Sequence, residues 1–311
     1  MKKQGVVAGA LAIVVLVSTS AVLAQEPEKT PPRYRLVYSN LLAGRLNPLG
    51  LVDKFNLGYR LKLWDRPGVL FKDTYMAVLA SGTVSPAFGL VGARLEVKPL
   101  AVLSMWAEYQ YFGTFGTFGI LQSFPTPTAE HSDTSLDEGD DADLDYNTGG
   151  HEVTLGARLQ AKVWKIAVRD TLNMFYNAVR LEDGHTVYYH QTHDALVPNR
   201  GWTVMNEADL LFVFDFGLVV GARYTLIHAL YRDEHFAPGE ATDNPNTPSH
   251  RVGPLFAYTF FKDPGAMWDA PSLILMIQWW AGHRYRTGAD SHAALPQMVL
   301  AFHFKGDLLP W

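Results

Sequence analysis

Between Val153 and Val163 the chain alternates without a break. Val153, Leu155, Ala157, Leu159, Ala161 and Val163 fall on one side, and Thr154, Gly156, Arg158, Gln160 and Lys162 fall on the other. Successive side chains of a strand point to opposite faces, so this is an extended segment between an apolar and a polar environment. The pattern recurs along most of the chain. In 55–63, Phe55, Leu57, Tyr59, Leu61 and Leu63 oppose Asn56, Gly58, Arg60 and Lys62. In 87–98, Val91, Ala93, Leu95 and Val97 oppose Arg94, Glu96 and Lys98. In 103–111, Leu103, Met105, Ala107, Tyr109 and Tyr111 oppose Ser104, Trp106, Glu108 and Gln110.

The full reading is twelve spans, at roughly 33–44, 53–64, 70–81, 86–98, 101–113, 150–163, 165–179, 201–215, 217–231, 250–262, 271–284 and 296–305. Ten or fourteen spans are compatible with the same pattern. Their connections alternate in length. One side has turns at Lys98-Pro99-Leu100, around Trp164 and at Asp215-Phe216-Gly217, with slightly longer links at Asp65 to Val69 and Asp263 to Ala270. The other side has loops at 114–149, 180–200, 232–249 and 285–295. A soluble β-sandwich also alternates, but it requires neither this asymmetry nor strands near twelve residues. An all-β, transmembrane, antiparallel up-and-down barrel requires both, since a spanning strand takes about 9–11 residues. Trp64, Trp164 and Trp268 fall at the short turns, where an interfacial aromatic girdle belongs.

Residues 1–24 have the form of a secretory signal: Lys2 and Lys3, an apolar run from Gly5 to Val17, and Val22-Leu23-Ala24 before Gln25. Residues 25–32, with three prolines, read as a periplasmic leader, and 33–311 as the barrel domain. Removing Lys2 and Lys3 leaves 24 basic against 31 acidic residues, a net charge of −7, which excludes nucleic acid as the expected partner. The chain has no cysteine, so disulfides, a cysteine-linked lipid anchor, thiolate metal sites and a cysteine nucleophile are all excluded. No apolar run after the signal is long enough for a helical span.

These features together resemble bacterial outer-membrane β-barrel proteins as a class. Met298, Leu300, Phe302 and Phe304, with Trp311 at the end, resemble the C-terminal assembly signal of that class, although Lys305, Gly306 and Asp307 interrupt the alternation. The resemblance implies export through the inner membrane and residence in the outer membrane. It implies lipid and lipopolysaccharide as surroundings, and insertion by the barrel-assembly machinery through the last strand.

Three groups of residues are candidates for function. Arg60, Lys62, Arg94, Glu96, Lys98, Glu108, Arg158, Lys162, Arg169, Glu207, Asp209 and Arg223 fall on the polar faces and are expected to line the lumen. They would act either as mutually paired solvating charges or as a mainly basic selectivity lining for small solutes or ions. Ten of the eleven histidines fall at or beyond the long-loop ends of strands: His131, His151, His185, His190, His193, His228, His235, His250, His283 and His292; His303 is the exception. Such loops either merely tolerate histidine or gather it into a metal site, with His185, His190 and His193 as the nearest set. The segment from Glu130 to Asp145 carries eight carboxylates in sixteen residues. Asp141, Asp143, Asp145 and Glu152 have the spacing of a calcium loop, but Tyr146 stands where glycine is needed and no flanking helix is readable, so a solvated loop is the plainer expectation. A divalent cation at the outer loops is the one cofactor this leaves open.

Gly113-Thr-Phe-Gly116-Thr-Phe-Gly119 is a small repeat expected to extend a strand beyond the membrane or to fold inward as a constriction. A barrel phospholipase would need a His-x-Ser motif, and none occurs. Asp290-x-His292 and Asp141-x-Asp143 faintly resemble the paired residues of outer-membrane aspartyl-type proteases. The expected function is a passive channel or substrate-selective pore. A barrel hydrolase and a structural or adhesive barrel with a plugged lumen are the alternatives.

Overall fold

The computed structural model describes residues 31–115, 121–142, 144–243, 246 and 248–311; the signal, most of the leader, Asp143 and the second half of the glycine repeat lie outside them. Twelve strands close into a barrel: β1 (Tyr34–Leu46), β2 (Gly50–Lys62), β3 (Tyr75–Val84), β4 (Phe88–Leu100), β5 (Leu103–Thr114), β7 (Gly149–Val163), β8 (Ile166–Val179), β11 (Gly201–Val213), β12 (Leu218–Leu230), β13 (Ser249–Thr259), β14 (Asp269–Gly282) and β15 (Gln297–Asp307). Each pairs antiparallel with the next in sequence. β15 returns to β1 with Val37 opposite Asp307 and Leu46 opposite Met298, so no edge is left. Closure satisfies the ladder hydrogen bonds of every strand internally, as a span through hydrocarbon requires.

The alternation maps onto the two faces as the sequence predicts. Leu51, Phe55 and Tyr59 of β2 and Leu155, Leu159 and Val163 of β7 are exposed on the outside. Their neighbours of opposite parity face the lumen. Trp64, Trp164 and Trp268 sit at the short-turn end with exposed rings, and Trp268 stacks on Phe304 at 4.4 Å. At the opposite end Tyr109 and Tyr111 pack on His151, and Tyr224 on His250, forming a second belt.

All twelve predicted spans correspond to a strand. The largest boundary error is at β3, which begins at Tyr75 rather than at 70. Pro67 and Gly68 break the extension, and Val69–Phe71 form a single 3-10 turn. That apolar triplet lacks alternation, which is why it does not pair.

The long loops hold structure that the period-two reading does not reveal. β6 (Ser123–Phe124), β9 (Val187–His190) and β10 (Ala195–Pro198) form a second, three-stranded sheet in the order β10-β9-β6. The acidic segment expected as a solvated loop contains a helix, α1 (Asp133–Asp141). Ser132 caps it by accepting from the Ser135 amide, while Asp290 accepts from the Asp133 amide at 2.8 Å and the Thr134 hydroxyl at 3.1 Å. These acceptors satisfy N–H groups that a helix start leaves free, and negative charge is favoured there.

A closed barrel of this kind resists SDS until heated. Unheated and boiled samples are therefore expected to migrate differently on SDS gels, and identical migration would count against closure.

Candidate functional site

Two charge clusters occupy the lumen wall. On β2 to β5, Lys54 and Arg94 both reach Glu108 Oε2, at 3.3 and 3.2 Å. Arg94 Nε also donates to Glu96 at 3.1 Å, and the Tyr75 hydroxyl donates to Glu96 at 2.5 Å. Arg60 lies over the Tyr75 ring at 3.9 Å. The second cluster is on β8, β11 and β12. Arg169 and Arg223 share Asp209, with Nε donors at 2.6 and 2.7 Å, and Arg223 also reaches Glu207 at 2.6 Å. Only β7 separates β5 of the first cluster from β8 of the second, so the two clusters follow one another around the wall.

Trp106 bridges the first cluster to Arg158. Its ring lies under the guanidiniums of Arg94, at 4.7 Å, and Arg158, at 5.7 Å. Gly156 makes the room: a Cβ there would stand 2.1 Å from the indole. Arg158 itself donates to Thr171 at 3.1 Å. Nearer the short turns, Lys62 pairs with Asp65, Lys98 with Asp73 at 2.8 Å, and Arg35 binds Asp307 through two bonds of 2.6 and 2.7 Å. Lys162 is exposed near the end of β7. The pairing reading of the lumen charges thus describes most of them, while Lys54, Arg35 and Asp307 are members that the sequence reading missed.

The outer mouth is covered by the β9–β10 hairpin. Val187, Leu196 and Val197 of this hairpin are fully buried. Its turn closes with the His193 and Asp194 amides donating to the His190 carbonyl, and Asp194 adopts φ 54°, a conformation that Asp tolerates better than most residues. The hairpin leaves the barrel beside β8, and its tip reaches β1, six positions away in the ring. There Arg45 donates to the Gln191 and Thr192 carbonyls at 2.7 and 2.9 Å. His193 packs on Phe175 of β8 at 4.7 Å and stacks on His190 at 4.1 Å.

A buried latch holds this arrangement. Arg286, in the last outer loop, donates to Asp194 through Nε at 2.8 Å and Nη2 at 3.0 Å. It also binds Asp133 of α1 at 2.6 Å, and Ser291 and Asn47 at 3.1 and 3.3 Å. Asp194 accepts the Tyr189 hydroxyl at 2.7 Å, and its carbonyl contacts His283 Nε2 at 2.9 Å. Although burial opposes the Asp194 charge, Arg286 outweighs it and holds the carboxyl down at about 2. Burial pushes the imidazoles of His131 and His190 down to about 4, and lowers those of His193 and His283 as well.

His151 and His292 are exposed, as loops that merely tolerate histidine would have them. Ten histidines do stand at the outer side, but His131, His193 and His235 are buried parts of the loop assembly rather than surface residues. Among the described residues no three histidine or carboxylate side chains converge on one point as metal ligands would. Asp141 ends α1, Asp145 lies in the following loop, and Asp143 lies outside the described residues. Glu152 belongs to β7 and bonds Thr154 in the lumen. His185 sits apart from His190 and His193, against Ser123.

That last contact bears on catalysis. Ser123 Oγ is 2.6 Å from His185 Nδ1, and the Tyr146 hydroxyl donates to the same oxygen at 2.7 Å. Glu182 approaches the same Nδ1, at 3.6 Å. In a serine hydrolase triad the acid and the serine use opposite ring nitrogens, so this group has the members but not the arrangement. Asp290 caps α1 and His292 Nδ1 contacts the Ala294 amide, so they form no catalytic pair.

Arg286, Asp194, Arg45 and Asp133 were not legible as a site, because they meet through separations such as the 92 residues between Asp194 and Arg286. The hairpin itself did leave a signal. Val187-Tyr-Tyr-His190 and Ala195-Leu-Val-Pro198 are two short runs of strand-forming residues around the turn Gln191-Thr-His-Asp194.

No protein-family profile matches the chain, and no curated protein matches it. Among solved structures it is similar to the TodX monoaromatic hydrocarbon channel in a deletion mutant, at 11% identity and a TM-score of 0.40, covering 90% of this chain and 91% of that one. The translocator domain of the autotransporter NalP from Neisseria meningitidis aligns at 10% identity and 0.37, covering 88% and 87%. Omp33 from Acinetobacter baumannii aligns at 12% and 0.35, covering 89% and 98%. The class rests on the chain's own architecture: a closed, twelve-stranded, antiparallel up-and-down barrel with an apolar exterior and a charged interior.

Proposed function

We propose that the protein is a pore of the bacterial outer membrane for small anionic solutes, closed from outside by its own β9–β10 hairpin. The observation that carries this reading is the hairpin tip crossing from β8 to Arg45 of β1 above a charged lumen. A purely structural barrel has no need of water-soluble charge along its whole interior. The bias toward anions follows from the lining, where Arg and Lys outnumber Asp and Glu. Arg60 Nε has no hydrogen-bond partner among the described residues, and Arg158 is bonded to a hydroxyl rather than a carboxylate. Rings of one sign of charge set which ions pass. Exported by its N-terminal segment, the chain would be inserted by the assembly machinery acting on β15, the strand that closes on β1.

The test is planar-bilayer conductance of the intact protein and of a variant with 187–198 replaced by a short Gly-Ser linker. The intact protein should conduct rarely, and the variant should give discrete, anion-selective steps. Heat-modifiable mobility shows that the variant is inserted and closed. A silent variant with intact heat modifiability would overturn the pore and leave a structural barrel.

A further inference from the structure

Beneath the hairpin, the outer ends of the strands carry polar atoms that have no hydrogen-bond partner among the described residues. Arg251, at the start of β13, is 5% exposed, and its Nε and Nη1 have no partner among the described residues. Its guanidinium lies over the Trp280 ring at 4.7 Å, and the Trp280 indole nitrogen is likewise buried and unpaired. The Gln297 side-chain nitrogen and the Thr203 hydroxyl, also interior, share this condition. His193, at the hairpin tip above them, has an unpaired Nδ1.

The unpaired groups are dominated by donors. The Asp194 carboxylate at the hairpin turn is already engaged by Arg286 and the Tyr189 hydroxyl. Arg45 spends its donors on backbone carbonyls, so its charge too is not neutralised there. Burying an ion without a partner costs far more than burying a paired one. A layer below, the Gln278 amide nitrogen donates to the Thr225 hydroxyl and the Arg223 carbonyl, which fixes the floor.

We propose that the space under the hairpin is a binding chamber for a small oxyanion, held by the Arg251 guanidinium and the Trp280 indole N–H beside it. A planar guanidinium presents its N–H groups in the fork that carboxylate and phosphate oxygens accept. The chamber lies on the path proposed above and takes its role from that reading, as the place where a solute waits under the closed hairpin. Binding itself needs no conduction.

The experiment is calorimetric titration of the full chain, refolded in detergent micelles at low ionic strength, with inorganic phosphate and separately with succinate. At least one should bind saturably in the millimolar range or tighter. Arg251→Gln should weaken that binding at least tenfold, and Arg251→Lys, which keeps the charge without the fork, should fall between. Lys165→Gln, at a short turn on the opposite side, controls for net charge and should bind as the unaltered chain does. Trp280→Phe, which keeps the ring and removes the indole N–H, should also weaken binding and guards against a folding defect in the arginine variants. Lack of saturation by either anion up to 50-fold beyond the millimolar range, or equal binding by Arg251→Gln, would overturn the chamber and leave water as what satisfies these donors. Binding by a barrel that never conducts would instead retain the chamber and remove the pore.

Discussion

Arg286→Met should open the outer mouth while leaving the barrel closed. The substitution strips Asp194 of both guanidinium bonds and leaves a carboxylate only 2% exposed with the Tyr189 hydroxyl as its remaining side-chain donor. Breaking a buried pair by removing one partner costs about 3–5 kcal/mol. The same change loosens α1, because Asp133 loses its bond to the same guanidinium while Asp290 still holds the first turn. The lost energy falls on the docking of the hairpin and α1, not on the ladder hydrogen bonds of the twelve strands. Amides of 187–198 should therefore exchange with solvent roughly 100-fold to 4,000-fold faster, since each 1.4 kcal/mol is a factor of ten. Conductance steps should become frequent, and heat-modifiable mobility should stay as it is. Asp194→Asn, which keeps one acceptor oxygen but loses the charge, should give a weaker form of the same effect. Unchanged exchange in the hairpin of Arg286→Met would remove the latch.

Acidification should loosen the same assembly between pH 6.5 and about 4. Burial lowers the imidazoles of His131 and His190 to about 4, with Arg284 and His283 adding to the effect at the first and Arg45 at the second. His193 is lowered by burial and then by His190, Arg251 and Arg45; His283 is lowered by burial against the opposing pull of Asp194. These rings are neutral in the docked state, whereas a released loop would take up protons near the ordinary value of 6.5. The undocked state binds more protons, so docking stability is full above pH 6.5 and declines as pH falls toward 4. For His131 alone, a displacement from 6.5 to about 4 corresponds to roughly 3 kcal/mol. Asp194 contributes only at lower pH, between its ordinary 3.8 and about 2. Conductance measured at pH 7, 5.5 and 4.5 should rise stepwise, and His131→Gln, which cannot gain the proton, should flatten part of that rise. A pH-independent closed state would show that these rings do not govern docking.

How much of this was legible in the sequence follows from what each part faces. A strand between lipid and lumen must alternate, so β7 could be read residue by residue, and the strand count followed from the same rule. Inward charges such as Arg94, Glu108 and Asp209 followed from parity alone, although their partners did not. The outer assembly obeys no such rule. α1 lies in a run of acids whose end at Glu138, Asp140 and Asp141 is poorly placed against the helix dipole, and its capping acceptor Asp290 comes from a distant loop. Glu152 was read as a loop ligand because spacing along the chain suggested calcium, whereas its parity within β7 turns it inward. Histidine clustering outside the membrane was visible as a count, but its burial was not. Burial there depends on the hairpin crossing the mouth.

Arg45 grips the hairpin tip by the carbonyls of Gln191 and Thr192 and not by their side chains. The closure therefore places little demand on which amino acids occupy those two positions, so long as the turn keeps its shape. Among descendants of this chain the outermost face of the tip is free to drift, changing what the cell displays to phages, antibodies or neighbouring cells, while the seal beneath it is inherited intact.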